Sequence, residues 1–167
     1  MTEQDIGPLH LTREVLHQAR EFFEDCGSRG CEGTALIAGP AAPVRTATVA
    51  RLVGDTLVVP DQKADSVPYA SVTVTAAGDL QIVSAVSLDQ RYYARIHSHP
   101  ALAFHSRTDD ENPALTHEGA ISIVVPYFGL GLRHGLDACA VFLRNKRTWV
   151  EAPVGSELRL TVVSTDE

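Results

Sequence analysis

The stretch RYYARIHSHP, from Arg91 to Pro100, constrains the chain more than any other. Its aromatic and aliphatic residues favour a β-strand, and the proline ends that strand. In a strand, His97 and His99 project from the same face, with Ser98 on the opposite face. One strand therefore supplies two neighbouring imidazoles, which in their neutral form are good zinc ligands.

A hydrolytic metal centre needs a third ligand and a base in addition to this pair. After the proline, Ser106 can begin a short helix that brings Asp109 back towards the histidines one turn later. The base must come from elsewhere in the chain. Glu32 is a candidate because it opens the strand-like run CEGTALIAG, but composition alone does not select it from the 21 Asp and Glu residues.

The order of the remaining patterns predicts a mixed fold. Apolar residues from Leu11 to Phe23 recur with helical spacing, with Thr12 as the N-cap and Gly27 at the end, and GDLQIVSAVSLDQ predicts a second helix capped by Asp79. Strand patterns cover CEGTALIAG, ATVARLV, ASVTVT, RYYARIHSH, AISIVVPYF, ACAVFLR, RTWVE and SELRLTVV. We predict an α+β fold and, since no repeat or linker interrupts the chain, a single domain over residues 1–167.

The composition excludes several classes of protein. With 44% hydrophobic and 21% charged residues, the chain has an ordinary globular composition. A net charge of -7 argues against a nucleic-acid partner. The N-terminus lacks the pattern of a signal peptide and no apolar stretch is long enough to span a bilayer, so we expect a cytoplasmic protein without a membrane partner. Cys26, Cys31 and Cys139 predict reduced thiols rather than a disulfide framework.

CEGTALIAG, followed far downstream by HSHPALAFHSRTD, resembles the JAMM (MPN+, JAB domain) zinc metalloprotease family. The family pattern is a Glu near the start of the first core strand, then His-x-His-Pro, then Ser-x-x-Asp. The resemblance implies Zn²⁺ on His97, His99 and Asp109, with Glu32 as general acid and base and Ser106 as oxyanion donor. It also implies a JAB/MPN-type domain, in which helices flank a mixed central sheet with the architecture of cytidine deaminases.

The spacing in this part of the chain leaves two candidates for the acidic ligand. Family members usually have ten residues between the second His and the Asp, whereas nine lie between His99 and Asp109. The count favours Asp110, and the Ser-x-x-Asp register favours Asp109. We predict Asp109, because the Ser and the Asp must share a helical turn whereas the preceding loop can absorb a deletion.

The resemblance implies a zinc metallopeptidase that hydrolyses the peptide or isopeptide bond after the C-terminal glycine of a ubiquitin-like or sulfur-carrier protein. The small size is similar to that of prokaryotic members associated with ubiquitin-like systems, so E1-like and E2-like proteins are further expected partners. Two alternatives stay open. One is a non-catalytic MPN-type scaffold, although such modules generally lose ligands, and the other is a RadC-like protein, which the acidic charge disfavours.

Overall fold

The computed structural model describes residues 8–45, 50–68, 70–153 and 161–163. The strands are β1 (Leu9–Thr12), β2 (Thr34–Pro40), β3 (Val44–Arg45), β4 (Ala50–Gly54), β5 (Thr56–Val58), β6 (Gln62–Asp65), β7 (Ser71–Val74), β8 (Gln90–Ser98), β9 (Ile121–Val125), β10 (Ala140–Asn145), β11 (Thr148–Glu151) and β12 (Thr161–Val163). The helices are α1 (Arg13–Ser28), α2 (Ala76–Ser84) and α3 (Arg107–Glu111), and a 3₁₀ segment covers Tyr127–His134. Within these residues the sheet orders are β11-β10-β9-β8-β2-β5 and β12-β1-β4-β3, with β6 and β7 as a separate pair.

Strand β8 lies inside the larger sheet, between β2 and β9. It pairs antiparallel with β2 and parallel with β9, so the sheet is mixed. Every residue of β8 from Tyr93 to Ser98 is buried, because elements cover both faces of the strand. The predicted α+β class, with a mixed central sheet flanked by helices, is confirmed.

Helix α1 covers one face of this sheet. Thr12 caps it as predicted, since the Thr12 side chain accepts a hydrogen bond from the Val15 amide at 3.2 Å. Val15 and Phe23 are fully buried in the same core cluster as Ile37 of β2 and Ile96 of β8. Truncating a buried Phe to Ala typically costs about 3–5 kcal/mol, so this packing fixes the sheet against the helix.

Two helix boundaries differ from the sequence prediction. The cap predicted at Asp79 is wrong: Thr75 caps α2, and its hydroxyl accepts a hydrogen bond from the Gly78 amide at 3.1 Å. Asp79 instead lies in the first turn, where a carboxylate is favoured by the partial positive charge of the helix start. Helix α1 continues one residue beyond Gly27. None of the helices in the described part of the chain has the length and apolar character needed to cross a membrane.

Parts of two predicted strands, ATVARLV and SELRLTVV, fall on residues 46–49 and 154–160, which lie outside the described residues. The described residues also contain β1, β3, β5 and β6, which none of the predicted strand patterns covers.

The chain between β8 and β9 forms the crossover that a parallel pair requires. Ala94 and Ile96 belong to the core cluster on the α1 side of the sheet. The alternating residues Arg95, His97 and His99 therefore project from the other face, which the crossover and α3 cover. The fold thus brings α3 against the end of β8.

Candidate metal centre and active site

Two buried imidazoles lie at the carboxyl end of β8. His97 is opposite Thr34 of β2 and Val124 of β9, and the His99 amide continues the sheet by donating to the Val125 carbonyl oxygen at 2.8 Å. The Nε2 atoms of His97 and His99 are 3.2 Å apart. Burial lowers the pKa of His97, so this imidazole is neutral at physiological pH and has a lone pair to offer a metal ion.

The carboxylate of Asp109 faces both imidazoles. Its Oδ1 lies 3.0 Å from Nε2 of His97, and its Oδ2 lies 3.4 Å from Nε2 of His99. Ser106 is the N-cap of α3, as predicted, and its amide donates to Oδ2 of Asp109 at 2.7 Å in a capping box. Burial opposes ionisation of Asp109, but its hydrogen bonds with the two histidines hold its pKa well below the usual range.

The donor set of His97, His99 and Asp109 fits a zinc ion. In the described residues their ligand atoms all lie within 4.8 Å of one another. Two ligand atoms bound tetrahedrally to zinc at the usual bond lengths lie roughly 3.3 Å apart. The distances of 3.0, 3.2 and 3.4 Å between the donor atoms match that spacing. Two imidazoles and one carboxylate, held at these distances, form a donor set that suits Zn²⁺.

Glu32 lies at the mouth of β2, beside the end of β8. The Gly33 amide donates to the Ser98 hydroxyl at 3.0 Å, and the Ser98 amide donates to the Gly33 carbonyl oxygen at 3.0 Å. This pair of hydrogen bonds places the residue before Gly33 next to His99. Burial raises the pKa of Glu32, the Asp109 carboxylate raises it further, and His99 lowers it. The Glu32 carboxyl group is therefore more readily protonated than one in water.

A cavity of about 700 Å³ joins these groups. Glu32, His97, His99 and Asp109 all line it. Residues Ser71–Val74, which form β7, make another wall, so a strand borders the cavity that contains these groups.

Comparison with one solved structure shows a shared fold. The solution structure of protein DSY2949 from Desulfitobacterium hafniense aligns with a TM-score of 0.58 at 15% identity, covering 95% of this chain and 94% of that one. The crystal structure of AF2198, a JAB1/MPN domain protein from Archaeoglobus fulgidus, aligns with a TM-score of 0.49 at 19% identity, covering 93% and 98%.

A curated relative, probable metalloprotease y4jG of Sinorhizobium fredii, is 27% identical over 165 residues, covering 97% of this chain and 98% of the relative. The name of this relative agrees with the resemblance of the sequence to a metalloprotease family. No protein-family model matches the chain.

Ser106 stands at the Ser position of the JAMM pattern, but its hydroxyl group already has a partner. The Oγ atom lies 2.7 Å from Oδ2 of Asp109 and also accepts a hydrogen bond from the Asp109 amide at 3.2 Å. An ionised carboxylate only accepts, so the single hydroxyl proton of Ser106 goes to Asp109. The oxyanion role of Ser106 stays a prediction, and it requires the hydroxyl to rotate away from Asp109.

Asp110, the other candidate from the JAMM spacing, points away from the two imidazoles. Its Oδ1 lies 2.7 Å from Nδ1 of His105, and the Asp110 side chain is exposed. The His105 ring stacks on Phe142, with centroids 4.3 Å apart. His105 thus belongs to a cluster behind α3 rather than to the His97–His99–Asp109 group.

Two residues of the site escaped the sequence reasoning. The alternation of strand residues predicts that Ser98 lies on the opposite face, but it does not predict the hydrogen bond that Ser98 accepts from the Gly33 amide. Arg95 is buried on the same face as His97 and donates to the carbonyl oxygen of Asp109. The alternation Arg-x-His-x-His contained the signal for Arg95, since a charged side chain two residues before His97 shares its face.

Proposed function

We propose that this chain is a JAMM-type zinc metallopeptidase, with residues 1–167 acting as one domain in the cytoplasm. The observation that carries the proposal is the Glu32 carboxyl group, which lines the same cavity as His97, His99 and Asp109. A metal site alone suits a structural ion, whereas a metal site with a separate half-buried carboxyl group suits hydrolysis. The curated relative, a probable metalloprotease, supports this reading.

A zinc ion held by His97, His99 and Asp109 would supply Lewis acidity, which polarises a scissile carbonyl and acidifies water. Glu32 then does the proton transfer. Its carboxylate takes the proton of the water that attacks the carbonyl carbon, and the resulting acid returns it to the leaving nitrogen as the C–N bond breaks. The raised pKa of Glu32 suits both steps, because a general acid-base group works best when its pKa approaches the working pH.

Ser106 acts on the developing oxyanion in this scheme. Its hydroxyl turns from Asp109 towards the negative oxygen that forms when the carbonyl is attacked, and a donor in that position stabilises the transition state. Its place beside Asp109, at the start of α3 and in the lining of the cavity, supports this role.

The proposed substrate is the C-terminal tail of a ubiquitin-like or sulfur-carrier protein, cleaved after its terminal glycine at a peptide or isopeptide bond. The sequence resemblance supplies this substrate class. The position of β7 supports it: among the described strands β7 pairs with β6, and its residues Ser71–Val74 border the cavity. An extended tail could add to β7 as a further strand and bring its terminal carbonyl to the site.

The test is cleavage of ubiquitin-like and sulfur-carrier fusions by zinc-loaded protein, comparing the wild type with Glu32→Gln. We expect Glu32→Gln to keep its zinc, measured by elemental analysis, and to lose hydrolysis by at least about 100-fold, because proton transfer by a positioned group contributes that much or more. Glu118→Gln is the matched control, since Glu118 is exposed and does not line the cavity. Full activity in Glu32→Gln would refute the proposal.

Linear fusions and lysine-linked conjugates, offered in parallel, separate peptide from isopeptide hydrolysis. Zinc binding without hydrolysis of either would point to a non-catalytic MPN-type scaffold. Partner capture with E1-like and E2-like proteins then tests whether the chain works within a conjugation system, and DNA binding would favour a RadC-like role.

A further inference from the structure

Arg95 is a buried cation on the strand that carries the two histidines. Its side chain lies under α3, and the residue is 4% exposed. Burial lowers the pKa of Arg95 to about 10, so the guanidinium keeps its positive charge at neutral pH. A buried charge is expensive unless several hydrogen bonds compensate it, so the partners of Arg95 show what its charge is used for.

Most of the guanidinium hydrogen bonds go to backbone carbonyl oxygens at the end of α3. Nη1 donates to the carbonyl oxygens of Asn112 and Ala114 at 3.1 and 3.2 Å, and Nη2 donates to that of Asp109 at 2.5 Å. The last carbonyl groups of a helix have no partner within the helix, so Arg95 satisfies groups that would otherwise be unpaired. One side chain thus joins three points of the segment 109–114.

The guanidinium is itself held in place by contacts with three further side chains. Its Nε donates to the Ser122 hydroxyl of the neighbouring strand β9 at 3.1 Å. Its carbon atom lies 4.3 Å from the centre of the Trp149 ring, in cation-π geometry. Its Nη2 also lies 3.3 Å from Nε2 of His105. In the described residues Arg95 forms no ion pair with a carboxylate. The nearby carboxylates of Asp109 and Asp110 favour its positive charge, and most of its hydrogen bonds go to backbone oxygens.

We infer that Arg95 is a positioning residue of the metal site: it fixes the backbone of α3 so that the Asp109 carboxylate faces the two histidines. This inference rests on the proposed function, because it takes Asp109 as a zinc ligand. Asp109 is held at both ends, by Ser106 at its side chain and by Arg95 at its carbonyl oxygen. The strand that supplies two ligands thereby sets the place of the third.

The test is the zinc affinity of metal-free Arg95→Met, measured by competition with a chromophoric chelator. Met keeps the length of the side chain and removes the donors. Groups that orient metal ligands typically change affinity by about 10–100-fold, so we expect a loss in that range and an altered visible spectrum of the cobalt-substituted protein. Arg95→Lys, which keeps the charge but not the planar fork, should recover part of the affinity.

Arg144→Met is the matched control. The Arg144 guanidinium lies over the same Trp149 ring, 5.3 Å from its centre, and carries the same charge. In the described residues Arg144 is not a donor to the carbonyl oxygens of segment 109–114, so its loss should leave zinc affinity unchanged within about twofold. Equal losses of zinc affinity in Arg144→Met and Arg95→Met would show that the effect comes from the contact with the Trp149 ring or from the positive charge, and would overturn the inference.

Amide hydrogen exchange gives a second readout that needs neither zinc nor substrate. Amides of α3 should exchange faster in Arg95→Met than in the wild type, because the helix end loses its partner. Ser122→Ala is a milder change that removes only the acceptor of Arg95 Nε. It should raise the amide exchange rates of α3 and lower the zinc affinity by less than Arg95→Met does. This variant replaces Arg95→Met in the test if Arg95→Met does not fold.

The outcomes separate the two proposals. A folded Arg95→Met protein with wild-type exchange in α3 and a zinc affinity within about twofold of wild type would overturn the role of Arg95 while leaving the proposed function in place. A wild-type protein that binds no zinc would overturn the proposed function and, with it, the role of Arg95 in a metal site. Zinc binding without hydrolysis would refute the peptidase proposal, and the zinc affinities of Arg95→Met and Arg144→Met would still decide the role of Arg95.

Discussion

Ser98→Ala should weaken the hydrogen bonding that positions Glu32 without disturbing the zinc ligands. Ser98 is fully buried, and its Oγ accepts the hydrogen bond of the Gly33 amide at 3.0 Å. Replacement by Ala removes one oxygen atom and leaves the amide of Gly33, a buried residue, without its partner. The Ser98 amide still donates to the Gly33 carbonyl oxygen, so one of the two links remains.

The expected size of the effect follows from that unpaired amide. A buried donor left without an acceptor costs about 1–3 kcal/mol of unfolding free energy. For a domain of this size each kcal/mol lowers the melting temperature by about 2–4 °C, which gives a decrease of roughly 2–12 °C. Glu32 is the residue before Gly33, so hydrolysis should fall while zinc affinity stays near the wild-type value.

The assay is thermal unfolding of the metal-free protein, followed by zinc titration and by cleavage of the active fusion. Ser28→Ala is the control: the Ser28 hydroxyl is exposed and donates to the Asp25 carbonyl oxygen, so its loss should change stability by no more than about 0.5 kcal/mol. If Ser98→Ala has the same melting temperature as Ser28→Ala and cleaves at the wild-type rate, the Gly33–Ser98 hydrogen bond does not position Glu32 and the prediction is refuted.

Three further predictions concern the metal and the pH. Asp109→Asn should lose zinc and Asp110→Asn should keep it, since Asp109 alone of the two faces the histidines; elemental analysis showing the reverse would reassign the ligand. Glu32→Gln should stabilise the metal-free protein at neutral pH. The pKa of Glu32 is raised in the folded protein, so the stability that Glu32 contributes is present below its ordinary pKa of 4.5. That stability is lost as the pH rises through the raised pKa. In urea unfolding, the difference in unfolding free energy between Glu32→Gln and the wild type should therefore shrink towards acid pH. A difference that does not change with pH would contradict this prediction. Removing zinc with a chelator should lower the melting temperature by an amount that follows the logarithm of the free-zinc concentration, as for any ligand that binds the folded state, whereas Asp109→Asn should not respond.

Local patterns were enough to predict the ligand geometry. His97 and His99 share a face because strand residues alternate, and Ser106 and Asp109 meet because they are one helical turn apart. Glu32 was different. Its neighbour Gly33 meets Ser98 across 65 positions of sequence, and no periodicity in the chain gives such a pairing, so the family pattern had to supply it.

Arg95 shows a second limit of the sequence. Its place on the ligand face follows from alternation, but its partners are carbonyl oxygens of Asn112, Ala114 and Asp109. Backbone atoms carry no residue signature, and their position depends on how the crossover between β8 and β9 folds back.

The sequence does not predict strands β5 and β6 because they are short. They have three and four residues, and the period of two hardly repeats within them.

The three donor residues come from one stretch, 97–109, whereas Glu32, the acid-base group in our proposal, comes from the segment before β2. The two components can therefore diverge independently. A single substitution at Glu32 would abolish proton transfer and leave every donor atom for zinc in place, so a gene duplicate could become an inactive, zinc-stabilised binding protein in one step. Loss of a donor would remove the ion and the activity together. Among descendants of such a chain, inactive proteins that still hold zinc are expected to have changed at Glu32 first.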